Sequence, residues 1–538
     1  MTRPKKQISS SNFPLLHLVL VLFALGGVSR AEEPFPGAKT DYHGVTLHTV
    51  TVSGEKASVL VPNRAGLGRP WFLGASLYSA SSASVAFMAR TQIELVKRGF
   101  HVVVLPLGNA FGEPQATAKW NGLYQEMTAK YGLSQKVSLM GISEEGLSIA
   151  RWAAENPAKV SCLYMDKAVW GFESRPGGRH DAGKGSPADL AAKLAPHHVA
   201  VVYVAGAKDD IVPVAENGAP MQAEYQKLGG IFKMILRENE GHHPHGLEDL
   251  APVVDFLHYR TFGNPEPTVK GAAYGPHPKQ VVDFWKAPSD APTPLAVYIH
   301  GGGWMGGDRF SLTPIQPLLK AGISVASVGY RLISEADGVT PPVQAPLGDA
   351  ARALQFLRSK AGEWNFRKDR VGSWGGSAGG CSILWLAFHK EMADPENADP
   401  VARESTRLLC AAVVGAQTSL DPVQMREWTP NIGYGGHAFG FKSFASFLEN
   451  RAKIQPWIAE YSPYALADST APPIYLRYAS APDIGKEFKD PTHSANFGVK
   501  MHERLRELGV ESELDFPGAT EPRHRSGFEF LIDKLNAP

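Results

Sequence analysis

The chain is poor in cysteine, with three in 538 residues, at positions 162, 381 and 410. So small and odd a number excludes a disulfide framework, and each thiol lies in an apolar stretch where a free cysteine packs as a small hydrophobe. One bridge, Cys381 to Cys410, stays open on sequence alone. A charge excess of either sign is also absent: 54 Lys and Arg stand against 53 Asp and Glu, a net charge of +1. With no basic stripe interleaved with aromatics, nucleic acid is not an expected partner. Beyond the N-terminal stretch no apolar run is long enough to cross a bilayer. The run His242-His243-Pro244-His245 could ligate zinc, but no second Cys or His cluster with ligand spacing accompanies it. Neither a metal nor an organic cofactor is therefore expected.

What the N-terminus does have is Arg3, Lys5 and Lys6 ahead of an apolar run over residues 15–28, then Ser29-Arg30-Ala31. A basic start, a short apolar core and a small-x-small site predict a secretory signal peptide cleaved after Ala31. An uncleaved anchor would need about 18 or more apolar residues. The mature protein is expected to be secreted or periplasmic, with no stable membrane insertion. Asn264-Pro265-Glu266-Pro267 and Gly275-Pro276-His277-Pro278 supply breakers that suit a connector. The expected plan is a signal over 1–31, a first domain over 32–262, a linker over 263–277 and a second domain over 278–538.

In the second domain, Tyr298-Ile299-His300-Gly301-Gly302-Gly303-Trp304 ends an apolar strand pattern in glycines, and Trp374-Gly375-Gly376-Ser377-Ala378-Gly379-Gly380 is a Gly-x-Ser-x-Gly elbow. The elbow exposes a serine on a sharp strand-to-helix turn, and the glycine run lets backbone N–H groups face a developing oxyanion. Either motif alone is weak in a chain with 54 glycines. Together, in this order, they carry a resemblance: residues 270–538 resemble the carboxylesterase and hormone-sensitive-lipase-like branch of the α/β-hydrolases. The resemblance implies an α/β fold, a mostly parallel sheet flanked by helices, with Ser377 at the carboxyl ends of its strands.

A serine hydroxyl needs a base, and the base needs an orienting group. After the strand pattern at 474–478 the carboxylates in reach are Asp483, Glu487 and Asp490. The resemblance favours Asp490, in Asp490-Pro491-Thr492-His493-Ser494, with Asp483 as the fallback. For the base it favours His524, which follows the strand-like residues 512–516 and precedes a last helix. His493 is the competitor, but it comes very soon after the acid loop, and His300 reads as a structural residue of the oxyanion turn. The expected site is thus Ser377, Asp490 and His524, with backbone N–H groups of Gly301, Gly302 and Ala378 holding the oxyanion.

The first half looks like a second copy. Strand patterns at 100–105, 137–140 and 201–205 alternate with helical spacing, and they carry Gly141-Ile142-Ser143-Glu144-Glu145-Gly146, an acid loop with Asp209, and Glu240-Gly241-His242-His243-Pro244-His245-Gly246. A triad of Ser143, Asp209 and His242 is present in order, with His245 as the alternative base. Yet Glu145 stands where the elbow wants a small residue, and Glu144 and Glu145 bring negative charge to the oxyanion side. Residues 74–83 lack a His-Gly-Gly pattern. A degenerate hydrolase that binds without cleaving and an active one both remain open. If both halves carry the fold, the chain is a diverged tandem duplication of two α/β-hydrolase domains.

The leading reading is a secreted serine carboxylesterase acting on small acyl esters, with acetyl groups on polysaccharide as the family-level substrate. The alternatives are a serine peptidase of the oligopeptidase type and a binding protein whose first domain is a degenerate hydrolase. Residues 420–457, with Trp428, Tyr434, Phe439, Phe441, Phe444 and Phe447, lie where this fold inserts a cap. They either line a pocket or pack the cap onto the core. Oligomeric state is not legible.

Overall fold

The computed structural model of the chain describes residues 35–538 except 53, 64, 67, 107–113, 171–185, 521 and 538. The expected signal peptide, residues 1–31, lies outside the described residues. Contacts place Glu33–Pro538 in one compact unit that contains two sheets.

The first sheet is built from β1 (Lys39–Tyr42), β2 (Val45–Val52), β3 (Glu55–Val61), β4 (Trp71–Gly74), β5 (His101–Val104), β6 (Val137–Ile142), β7 (Val160–Asp166), β8 (Ala200–Gly206) and β9 (Phe232–Arg237). Its order is β1-β2-β3-β5-β4-β6-β7-β8-β9. The second holds β10 (Val269–Ala273), β11 (Val281–Trp285), β12 (Thr293–Ile299), β13 (Ser324–Val328), β14 (Phe366–Gly376), β15 (Cys410–Val414), β16 (Ile474–Arg477) and β17 (Ser512–Asp515). Its order is β10-β11-β13-β12-β14-β15-β16-β17. From β2 onward the first order repeats in the second, strand for strand, including the single exchange of neighbours at β4/β5 and β12/β13. In each sheet the leading strands pair antiparallel and the rest are parallel. The fold is α/β, as expected: two mostly parallel sheets flanked by helices.

The residues explain the division. β8 (Ala-Val-Val-Tyr-Val-Ala-Gly) and β13 are buried along their whole length, because helices cover both faces of a parallel sheet and every position must be apolar or hydrogen-bonded. At the antiparallel edge β2 alternates instead, with Val50 and Val52 buried and Thr49 and Thr51 exposed. In the second sheet the parallel register sets Ile299 beside Gly375, Gly376 beside Val414, and Val414 beside Arg477. The turns that leave β12, β14, β15 and β16 therefore share one edge, where parallel α/β sheets present their functional loops.

The joint differs from the expected linker. Residues 263–277 contain β10, which pairs with β11, and Asn264 is buried, with its side-chain oxygen accepting from the Ile315 N–H at 2.9 Å. Just before it, His258 Nε2 hydrogen-bonds the Phe310 carbonyl at 2.7 Å, and the Tyr259 hydroxyl donates to Asp283 at 2.6 Å. Tyr259 packs with Trp285 and Phe310 in one apolar cluster. The prolines turn the chain, but the segment between them is stitched to the second sheet. Cys162, Cys381 and Cys410 are free and buried, so the Cys381–Cys410 bridge left open by the sequence is not formed. Among the described residues no helix is long and apolar enough to cross a membrane.

Candidate functional site

Two serines with left-handed backbone sit at matching places in the two sheets. Ser377 leaves β14 with φ 53° and ψ −128°, and Ser143 leaves β6 with φ 45°. A non-glycine residue in this region is strained and is held only when its surroundings over-determine it. For Ser377 the surroundings are its N–H bond to the Val414 carbonyl at 2.9 Å and the helix Ala378–Phe388, whose first turn begins with Cys381 N–H to Ser377 O at 2.9 Å. For Ser143 they are Ser143 N–H to Asp166 O at 3.3 Å and Val169 N–H to Ser143 O at 3.0 Å.

Around Ser377 the structure brings together Asp490 but not His524. His493 Nε2 lies 3.0 Å from Ser377 Oγ, and His493 Nδ1 lies 2.8 Å from Asp490 Oδ2. The physical reason is local: Pro491–His493 forms a single 3-10 turn, which stacks Asp490 and His493 on one side. Gln417 fixes that turn by donating to the Thr492 carbonyl at 2.7 Å, and Ser494 then caps the helix Ala495–Glu507. Asp483, the fallback acid, is instead held by its own N–H donating to Asn496 Oδ1 at 2.8 Å. His524, expected as the base, accepts a different position. Its Nδ1 is 2.8 Å from Glu513 Oε1, its backbone N–H donates to Glu513 Oε2 at 3.0 Å, and its Nε2 is 3.4 Å from Asp533. It clips β17 to the last helix, Gly527–Asn536.

The glycine turn after β12 packs against the elbow, where a Cβ on Gly301 would lie 3.3 Å from Ser377 Cβ. Gly302 has φ 112°, a conformation open to glycine alone. A side chain at Gly379 would lie 2.2 Å from the Ile299 carbonyl and 2.6 Å from that of His300, so the helix approaches the turn this closely only because residue 379 has none. Gly301 and Ala378 thus border Ser377 from two sides. His300 is structural: its ring stacks on Tyr330 at 4.0 Å, Tyr330 OH donates to the His300 carbonyl at 2.7 Å, and His300 Nδ1 bonds the Gly301 carbonyl at 2.8 Å. Trp428, Phe439, Phe444 and Phe447 are buried in the main core of this half, which makes them packing residues. Tyr434 reaches the site, since a Cβ on Gly303 would meet its ring at 3.6 Å.

In the first half all of the expected residues meet. His242 Nε2 is 3.1 Å from Ser143 Oγ, and His242 Nδ1 is 2.8 Å from Asp209 Oδ2. Asp209 Oδ1 also accepts from the N–H groups of Ile211 and Val212, at 3.0 and 2.8 Å. The two constellations differ in burial. The side chains of His242 and Asp209 are 6% and 1% exposed, whereas those of His493 and Asp490 are 41% and 65% exposed. His245, the alternative base, is taken by a second buried pair, with Nδ1 2.8 Å from Asp166 Oδ1. Asp166 further accepts from the Gly246 N–H at 2.9 Å and from Tyr164 OH at 3.2 Å, which locks the loop that carries His242.

Glu145 does something the sequence did not suggest. Its carboxylate turns back to accept from the Ile142 N–H at 3.0 Å, from Tyr78 OH at 2.5 Å and from Ser76 Oγ. Burial raises its pKa above the usual carboxylate range, against the pull of these donors. The elbow's tight approach falls on Gly146, where a Cβ would lie 2.5 Å from the Val169 carbonyl. Glu145 thereby ties the elbow to the loop after β4.

A family model described as BD-FAE matches residues 283–483, a stretch that holds Ser377 and the glycine turn at 301–303 and ends before Asp490 and His493. No curated protein matches the chain. Among solved structures, it is similar to an acetyl ester-xyloside bifunctional hydrolase from Caldicellulosiruptor lactoaceticus, at 23% identity over 48% of this chain and 82% of that one, TM-score 0.35. A truncated carbohydrate esterase from gut microbiota is 15% identical over 50% of this chain and 98% of that one, TM-score 0.39. Esterase B from Lactobacillus rhamnosis is 18% identical over 49% and 79%, TM-score 0.35.

The histidine run has a ligand-like geometry that its hydrogen bonds oppose. One ring nitrogen from each of His242, His243 and His245 lies within 4.8 Å of the others. Both nitrogens of His242 are already engaged by Ser143 and Asp209, His245 Nδ1 by Asp166, and His243 Nδ1 by Ser84 Oγ at 2.7 Å. A cation there would have to compete with the Ser143 and Asp209 contacts. The residue that the sequence ranked second, His493, is the one that faces Ser377. The signal was present as an Asp-x-x-His spacing just ahead of a serine helix cap, since one turn puts such residues side by side.

Proposed function

We propose that the second half is a serine hydrolase cleaving carboxylic esters at Ser377, with His493 as base and Asp490 as orienting acid. The observation that carries this reading is the pair of contacts on one imidazole, 3.0 Å to Ser377 Oγ and 2.8 Å to Asp490 Oδ2. Both are within reach for proton transfer and for fixing the tautomer. Ser377 Oγ attacks the ester carbonyl and passes its proton to His493 Nε2. The oxyanion is held by N–H groups of Gly301, Gly302 and Ala378, groups already rigid before the reaction and so costing no reorganisation. His493 returns the proton to the departing alcohol. Water, deprotonated by the same ring, then attacks the acyl-enzyme and releases the acid.

The openness of the site bears on substrate. Asp490 is largely exposed, and Met305 and Val414, flanking the glycine turn and the elbow, are 56% and 42% exposed. An open, partly apolar rim suits a short acyl group carried on a large alcohol, and we assign acetyl esters of polysaccharide as the natural class. The N-terminal sequence assigns the mature enzyme to the periplasm or the exterior.

The test is hydrolysis of p-nitrophenyl acetate through octanoate by the mature protein. Ser377→Ala should remove the turnover of this site by roughly a factor of a million, with short chains preferred over long ones. Hydrolysis unchanged by Ser377→Ala in a Ser143→Ala background would reject the assignment.

A further inference from the structure

The first half holds a complete set of groups that the function proposed above does not use. Ser143 is strained at φ 45°, His242 spans Ser143 and Asp209 at 3.1 and 2.8 Å, and two backbone N–H groups hold the remaining oxygen of Asp209. A residue that merely fills a core needs neither the strain nor the chain of contacts. The loop bearing His242 is also over-determined. Besides the His245–Asp166 pair, Lys167 Nζ donates to the Pro244 carbonyl at 2.6 Å, and Arg237 donates to the Gly246 carbonyl at 2.8 Å. The Lys167 side chain is fully buried, and desolvation lowers its pKa. So many buried polar contacts converging on one loop are costly unless each is satisfied, and together they fix a single loop geometry.

The objection raised by the sequence was the pair of glutamates beside Ser143. Glu145 answers it by facing away, into the Ile142 N–H and the hydroxyls of Tyr78 and Ser76. In the second half the corresponding position is Gly379, and the backbone of the oxyanion turn fills the space. Here the carboxylate fills it and holds residues 76–78, the loop that leaves β4 in the place His300 to Gly302 occupy after β12. One half uses a missing side chain and the other a hydrogen-bonded one to fix the same loop against the same elbow.

We infer that Ser143, His242 and Asp209 form a second, independent serine hydrolase centre, and that it takes uncharged carboxylic esters. Ser143 Oγ bonds to the acyl carbon as its proton moves to His242 Nε2, and the alcohol leaves with that proton. Water gives a proton to His242 and its oxygen to the acyl carbon, the Ser143 ester bond breaks, and the proton returns to Ser143. Glu144 adjoins Ser143 in sequence, and Asp166 and Asp209 lie behind the histidine loop, so an anionic substrate meets like charge on entry.

The experiment uses the full mature chain carrying Ser377→Ala, a biotinylated fluorophosphonate, and peptide mapping. The tryptic peptide containing Ser143 should take the label, and Ser377→Ala/Ser143→Ala should not. Residual p-nitrophenyl acetate hydrolysis in the single variant should fall at least about a thousandfold in the double one. Mono-p-nitrophenyl succinate should be cleaved at least about tenfold more slowly than the acetate. Asp209→Asn, which keeps the shape, should slow labelling. An unlabelled Ser143 in a Ser377→Ala protein with an unchanged thermal transition would overturn the second centre. Equal rates on acetate and succinate would overturn the substrate class. Labelling of Ser377 in the wild-type chain is read from a different peptide, so the two proposals fail separately.

Discussion

Two serines on two similar turns face differently built histidines. In the first half the histidine and acid come from loops after separate strands, β8 and β9, and are almost fully buried. In the second they come from one 3-10 turn and face solvent. The strand order is the same in both sheets, so the difference lies in the loops, where a fold tolerates change most readily. Similar sheets constrain where a nucleophile sits far more tightly than where its base comes from.

The comparison can be broken first at the serines. Each Ser→Ala change should abolish its own centre by about a factor of a million and leave the other labelled by fluorophosphonate; one label lost with either serine would mean that the halves work as one site. The acids give the next effect. Asp209→Asn should cost the first centre about ten-thousandfold, because a buried carboxylate fixes the tautomer with no water to replace it. Asp490→Asn should cost the second only about tenfold to a hundredfold, since charge interactions are weak in high dielectric. Equal losses, measured as kcat on each single-site variant, would remove burial as the distinction.

The smallest effects concern stability. Burial pushes His258 and His101 down to about 4, so the unfolded chain takes up protons between pH 6.5 and 4 that the native chain refuses. Native stability should be full above pH 6.5 and fall progressively toward pH 4, seen as a declining thermal midpoint. His258→Gln, at the joint between the sheets, should flatten part of that slope. A midpoint that is level or rising on acidification would contradict the burial of these rings.

Much of the architecture was legible because it is local. Residues 100–105, 137–140, 201–205, 474–478 and 512–516 read as strands, and each overlaps an observed one. Ser377 and Ser143 were legible because an elbow is a contiguous motif. Asp209 and His242 were legible from their order along the chain. His493 was legible only as the competitor, because the expected order wants the base after the last strand, and the Asp-x-x-His spacing marks a turn without saying that it faces Ser377. His524 looked suitable by position, but Glu513 and Asp533 claim it through contacts that only the folded chain creates. Glu145 was legible as a charge and not as a tie, since its partners Ser76 and Tyr78 are remote in sequence. The proline-rich joint hid β10 because breakers mark turns and say nothing of the short strand between them.

His493, and not His524, is the base proposed for Ser377. The decisive measurement is kcat for p-nitrophenyl acetate in a Ser143→Ala background carrying either His493→Ala or His524→Ala, with thermal midpoints recorded alongside. His493→Ala should lower kcat by about ten-thousandfold or more at an unchanged midpoint. His524→Ala should keep kcat within about threefold and lose about 1–3 kcal/mol of stability, the cost of leaving the Glu513 carboxylate without its partner. Abolished turnover in His524→Ala, with His493→Ala still active, would contradict that assignment.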